Sequence, residues 1–179
     1  MTQQWKRAAR HDIQMVTGGW RSGASAYALK LAADWERKTI IATPVSRDDD
    51  VREHIAMYRK DLDDTFETIE ESMRITEAVK NVDAGLCIID DAATWVETIM
   101  RASSAPVAET YPEIDEFLTM LHEPPCELII VTRELNMGLP SDSIEVRRYR
   151  DVVGRMNQRI AALSSAVWLC VSGLPLKLK

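Results

Sequence analysis

A chain of 179 residues, 46% hydrophobic and 28% charged, is large enough for one domain around its own core. A formal net charge of −6 leaves no electropositive footprint for nucleic acid, and no apolar run approaches a membrane span. The basic segment "MTQQWKRAARHD" lacks the apolar stretch of a secretory signal. A cytoplasmic protein is expected, with residues 1–12 as an extension ahead of a single domain at 13–179.

In chain order, "IQMVT" (Ile13–Thr17) is a short apolar, β-branched run and reads as a buried strand. The glycine-rich "GGWRSGAS" (Gly18–Ser25) follows it, and "SAYALKLAADWERK" (Ser25–Lys38) repeats apolar residues at helical steps. "TIIATPV" (Thr39–Val45) is a second strand. The strongly charged Asp49–Asn81 reads as two helices. "LCIID" (Leu86–Asp90) is a third strand, and helices are expected over Ala92–Ser103 and Tyr111–His122, joined by a loop at Ser103–Thr110. "ELIIVT" (Glu127–Thr132) is a fourth strand. The loop "NMGLPSDS" (Asn136–Ser143), a long amphipathic helix (Asp142–Ser165) and a fifth strand, "AVWLCVSG" (Ala166–Gly173), complete the chain.

Near-continuous apolar strands alternating with helices predict an α/β fold, a mostly parallel sheet covered by helices. Cys87, Cys126 and Cys170 are widely spaced and fall in or beside apolar runs, so they read as buried thiols. His11, His54 and His122 have no metal-ligand spacing. Neither zinc nor haem is expected.

"GGWRSGAS" matches the phosphate-loop pattern G-x-x-x-x-G-K-[ST] at Gly18, Gly23 and Ser25, but Ala24 stands where the lysine belongs. The loop follows a strand and opens a helix, as a phosphate cradle must. Backbone N–H groups would face phosphate oxygens, and the Ser25 hydroxyl would face Mg²⁺. Asp90, at the end of an apolar strand, is the candidate magnesium-assisting acid, and Asp91 the cap of the next helix. The missing lysine would normally reach the β- and γ-phosphates, so its loss touches transfer more than binding. Arg21 and Lys30 are nearby cations.

The C-terminal half carries a more specific pattern. "VTRELNMGLPSDSIEVRRYRDVVGRMNQRIAALSSAVWLCVSGLPLKLK" resembles the bifunctional adenosylcobinamide kinase / adenosylcobinamide-phosphate guanylyltransferase family of cobalamin biosynthesis. The matching positions are Glu134, Gly138, Pro140, Arg147 or Arg148, Arg150, Asp151, Gly154, Asn157, Gln158, Ser172, Gly173 and Pro175. "VTGGWRSGAS" is similar to the family's "TGG-x-RSGKS", "IIATP" to its second strand, and "IIDDAATWV" to its "D-x-x-TxW" turn through Asp90, Thr94 and Trp95. The likeness spans residues 13–179.

The resemblance implies a phosphate-loop NTPase-like domain, assembled as a homotrimer. It also implies two reactions: phosphorylation of a corrinoid hydroxyl, then transfer of GMP from GTP through a GMP–histidine intermediate. The implied nucleotide site is Gly18, Gly19, Arg21, Ser22, Gly23, Ala24, Ser25, Thr43, Glu70 and Asp90, with Mg²⁺ at Ser25 and Asp90 and GTP or ATP as the nucleotide.

The chain departs from the family's pattern at several positions. Met57 and Tyr58 fall where the family's histidine belongs, with His54 one helical turn earlier. Asp61–Asp63 replace its arginine–proline step and Phe66 its tryptophan, while Thr68 and Glu70 match; Arg133 replaces its usual asparagine. The lysine and the histidine are both replaced in a chain that keeps the family's frame. This reads as a catalytically degenerate relative that binds a nucleotide, a corrinoid or a protein partner. The alternative is an active kinase/guanylyltransferase in which Arg21 or Arg133 covers for the lysine.

Overall fold

A computed structural model describes residues 11–43, 65–83, 85–103 and 111–179. Residues 1–10, His54, Met57, Tyr58 and Asp61–Asp63 lie outside the described residues, as does most of the expected loop Ser103–Thr110. The strands are β1 (Ile13–Gly18), β2 (Lys38–Ala42), β3 (Phe66–Glu70), β4 (Leu86–Asp90), β5 (Glu127–Arg133), β6 (Ala166–Val171) and β7 (Leu174–Lys177). Among the described residues the helices are α1 (Ala24–Leu31), α2 (Ile75–Lys80), α3 (Ala92–Ala102), α4 (Pro112–Met120) and α5 (Ile144–Leu163).

Among the described residues the strands form one seven-stranded sheet in the order β3-β2-β4-β5-β1-β6-β7. All neighbours run parallel except the β6–β7 hairpin. Central strands carry near-continuous apolar runs because both faces are covered. Ile40, Ile88, Ile129 and Val131 pack with Ala24, Ala28 and Ala32 of the α1 side. Their neighbours Ile41, Ile89, Leu128 and Ile130 pack on the opposite face with α2, α3, α4 and α5. Alternate residues on a strand point to opposite faces, so a two-sided sheet needs an unbroken apolar run. Each of these fully buried aliphatic side chains contributes about 1.5–3 kcal/mol.

One expected element is corrected, and one strand is added. The charged Asp49–Asn81 segment is not helical throughout: 66–70 is β3, paired with β2, and the helix begins only at Ile75. Phe66 and Ile69 are half-buried and the rest of β3 is exposed, so an edge strand carries mostly polar residues. "LPLK" is β7, an exposed edge strand after the fifth expected strand.

Helix ends follow local chemistry. The Asp91 carboxylate accepts from the Thr94 amide and caps α3, as expected, and Ser143 caps α5 through the Val146 amide. Pro112 opens α4. Trp95, fully buried on α3, donates its indole N–H to the Met73 carbonyl at 3.0 Å and meets the Phe117 ring edge-on.

Candidate functional site

The C-terminal ends of the parallel strands bring Gly18, Ala42, Glu70, Asp90 and Arg133 to one edge of the sheet, the edge where open α/β sheets bind ligands. The chain leaves β1 at Gly18, bends through Gly19–Gly23 and enters α1 at Ala24. The bend is closed by the Ser22 amide donating to the Gly19 carbonyl at 3.1 Å. Arg21 takes φ 56° and is exposed. Gly23 takes φ 90°, a left-handed conformation that excludes most side chains. The Ser22 hydroxyl is buried in this bend with no hydrogen-bond partner among the described residues.

A second segment braces the loop. The β6–β7 turn runs through Ser172 and Gly173, both at positive φ, and the Gly173 amide donates to the Ser22 carbonyl at 2.8 Å. A Cβ built on Gly23 would lie 2.9 Å from the Gly173 Cα. The "SG" of the C-terminal signature is therefore the backbone surface against which the glycine loop closes.

Ser25 and Asp90 meet as expected: the Ser25 hydroxyl donates to Asp90 Oδ1 at 3.1 Å. A hydroxyl and a carboxylate are hard oxygen donors, the type Mg²⁺ takes alongside nucleotide phosphates and water. These two residues thus fit a magnesium–nucleotide site, where the ion would offset phosphate charge. Among the described residues, no group of three or more His, Cys, Asp or Glu is placed to hold a metal by itself. Thr43 acts on the adjoining backbone: its hydroxyl donates to the Asp91 carbonyl at 2.7 Å and accepts from the Asp91 amide at 2.9 Å. Thr43 thereby fixes the turn that carries both aspartates.

Ala24 lies 8% exposed against the α1-side core, and its methyl offers no charge. Glu70 reaches the same sheet edge but not the loop. It pairs with Ala42, and β3 stands four strand spacings from β1, about 19 Å along the sheet.

Strand order adds an arrangement that spacing in the sequence does not reveal. β5 lies between β1 and β4, so Arg133 at its end stands opposite Gly18 in register and between the loop and the aspartates. Its ion-pair partner is Asp91. Nη2 of Arg133 lies 2.7 Å from Asp91 Oδ2 and 2.7 Å from Thr94 Oγ1. On its other side the guanidinium sits 4.4 Å from the ring centroid of Trp20, a loop residue. Asp91 also accepts from the Thr94 hydroxyl at 3.1 Å. Glu134 serves the backbone: its amide donates to the Gly18 carbonyl and its carboxylate accepts from the Asn136 amide.

Asn157 on α5 holds the end of β5. It donates through Nδ2 to the Arg133 carbonyl at 2.9 Å and accepts from the Thr132 hydroxyl at 2.8 Å. Behind the pair, the Tyr149 hydroxyl donates to the Ala93 carbonyl at 3.0 Å, and burial pushes its pKa well up, so it stays a neutral donor. Two arginines of α5 work through carbonyls: Arg147 donates to those of Ser141 and Asp142, Arg150 to those of Gly138 and Leu139. They tie the loop 136–143 to α5.

Comparison with known proteins adds to this geometry. The family model described as "Cobinamide kinase / cobinamide phosphate guanyltransferase" matches residues 14–178. The chain is 29% identical over 178 residues to the bifunctional adenosylcobalamin biosynthesis protein CobU of Escherichia coli, covering 92% of this chain and 98% of that protein. It is 30% identical over 179 residues to CobU of Salmonella typhimurium, with the same coverage. It is 30% identical over 168 residues to CobP of Pseudomonas aeruginosa, covering 92% of this chain and 96% of that one. Among solved structures, a prototypical ATPase from a bacterial type III secretion system superposes with a TM-score of 0.54 at 12% identity. That superposition covers 94% of this chain and 57% of the longer ATPase chain, and its likeness is one of fold: a phosphate-loop NTPase-like α/β sheet.

Proposed function

The chain belongs to the cobinamide kinase / cobinamide phosphate guanyltransferase family, and from that premise we propose a nucleotide-binding member whose transfer chemistry is impaired. One observation carries the reading: the loop keeps its bend, its Ser25–Asp90 contact and its brace at Gly173, but the first residue of α1 is the buried methyl of Ala24. The parts that cradle phosphate depend on backbone N–H groups and the helix N-terminus, which a side-chain loss leaves intact. The part that stabilises charge during transfer is the ammonium, and it is gone. Removing one stabilising group of this kind costs about 10²–10³ in rate. The replacement of the family's histidine by Met57 and Tyr58, read from sequence, removes the acceptor of the second reaction in the same way. Corrinoid recognition and a homotrimer are carried into the proposal from the family.

A second reading keeps one transfer alive. Its support is Arg133, a cation held against the loop that the family's asparagine would not supply.

Calorimetry of GTP and ATP with Mg²⁺ tests both, using wild type and Ala24→Lys, followed by turnover of each with adenosylcobinamide. Binding by wild type, with transfer rising about a hundredfold in Ala24→Lys, is the expected result. Turnover by wild type at a rate that Ala24→Lys does not raise overturns the impaired reading in favour of the second. Absence of binding in both variants overturns nucleotide binding itself.

A further inference from the structure

We propose that Arg133 is an exchangeable phosphate cation, leaving the Asp91 carboxylate for the phosphates of a nucleotide seated on the loop. It supplies from β5 the charge that Ala24 lacks. The inference rests on the nucleotide reading above and adds a side-chain cation to its backbone cradle.

Position comes first. Arg133 ends the strand that separates the loop strand from the acid strand, and its backbone is fixed twice, by pairing opposite Gly18 and by Asn157 at its carbonyl. Among the described residues the guanidinium is held by side chains: Asp91, Thr94 and the Trp20 ring. Its side chain keeps 24% of its surface exposed against 13% for Asp91. The head can therefore move while its root stays still.

The exchange is chemically balanced. Carboxylate and phosphate both accept the planar guanidinium fork, so one charge-assisted contact replaces another. Asp91 is not orphaned when the arginine leaves. It keeps the Thr94 amide and the Thr94 hydroxyl as donors, and it caps α3 at the favourable end of the helix dipole. A buried ion pair whose anion had no other donor would be costly to open; this one has two.

Charge points the same way. Asp90 and Asp91 are adjacent at the end of β4, and Asp90 already contacts the loop through Ser25. With no lysine at 24, a phosphate chain entering here meets two carboxylates. Arg133 is the cation built between them and the loop. Trp20 adds a flat surface that keeps the guanidinium against the loop on either partner.

The test uses GDP and inorganic pyrophosphate as probes, with dissociation constants from calorimetry and melting temperatures as a folding control. Arg133→Asn is expected to weaken both probes at least about tenfold, and Arg133→Lys by less, since lysine keeps charge without the fork. Asp91→Asn is the discriminating variant: asparagine keeps the helix cap but releases the guanidinium, so binding should tighten severalfold. If Asp91→Asn weakens binding as much as Arg133→Asn, the pair is a fixed structural tie and the proposal is wrong. Equal affinity in wild type and Arg133→Asn also overturns it, while leaving nucleotide binding intact. If wild type binds neither probe, the nucleotide reading falls and this inference with it.

Discussion

The junction of Gly23 with Gly173 yields a prediction whose parts can be separated. Ala at 173 would sit at φ 81° with no heavy atom within 4 Å of the new methyl. Only the left-handed penalty of about 1–2 kcal/mol applies, partly offset by the stiffer unfolded chain. Gly173→Ala should therefore cost about 1 kcal/mol. Ala at 23 meets the same penalty at φ 90°, and its methyl would lie 2.9 Å from the Gly173 Cα. That neighbour is backbone pinned by its own amide bond to Ser22, so it cannot swing aside. Overpacking of this kind adds about 1–3 kcal/mol, giving about 3 kcal/mol for Gly23→Ala. Gly19 meets nothing within 4 Å and its φ is not positive, so Gly19→Ala should be neutral or slightly stabilising. For a chain of this length 1 kcal/mol moves the midpoint by about 3 °C. Thermal unfolding of the three variants should give shifts of about zero, about 3 °C and about 9 °C for positions 19, 173 and 23. Equal losses at 23 and 173 would refute the reasoning, because the clash would then contribute nothing.

Two further outcomes follow from buried or bonded polar groups. Asn157→Leu strands the Thr132 hydroxyl and the Arg133 carbonyl; each orphaned group costs about 1–3 kcal/mol, so urea unfolding should show a loss of about 3 kcal/mol. The Glu71 carboxylate accepts from the Met73, Arg74 and Ser72 amides, bonds that hold its pKa below the ordinary value, the Met73 bond most. The unfolded chain therefore takes up the proton first as pH falls. The stability Glu71 contributes is present at neutral pH and is lost as pH drops below about 4. Glu71→Gln should flatten that acid limb in a pH series of urea midpoints.

How much of this was legible in the sequence depends on where the information lies. The central strands announced themselves because two covered faces demand unbroken apolar runs. "FETIE" did not, because β3 is an edge strand with most of its residues exposed, and an alternation of acids with threonine and isoleucine beside charged neighbours looks like a solvated helix. "LPLK" carries no buried run to read, since all four of its residues are exposed, Leu174 and Leu176 included. At the site, the glycine loop, Ser25 and Asp90 could be named because each belongs to a local pattern of strand end or helix start. Trp20, Arg133, Asp91 and Thr94 meet only because β5 inserts between β1 and β4, a fact of strand order. Asn157 was visible as part of a signature, but its task, holding the last carbonyl of a strand on another element, was not.

The brace between Gly173 and Ser22 also sets an order in time. The glycine bend leaves the ribosome well before residue 173, whose amide secures it. A nascent chain carrying β1, α1 and even the aspartates of β4 still has an unsecured loop. The site matures only when the β6–β7 turn has been made and folded back, so a chain stopped before that turn leaves its N-terminal loop unfinished.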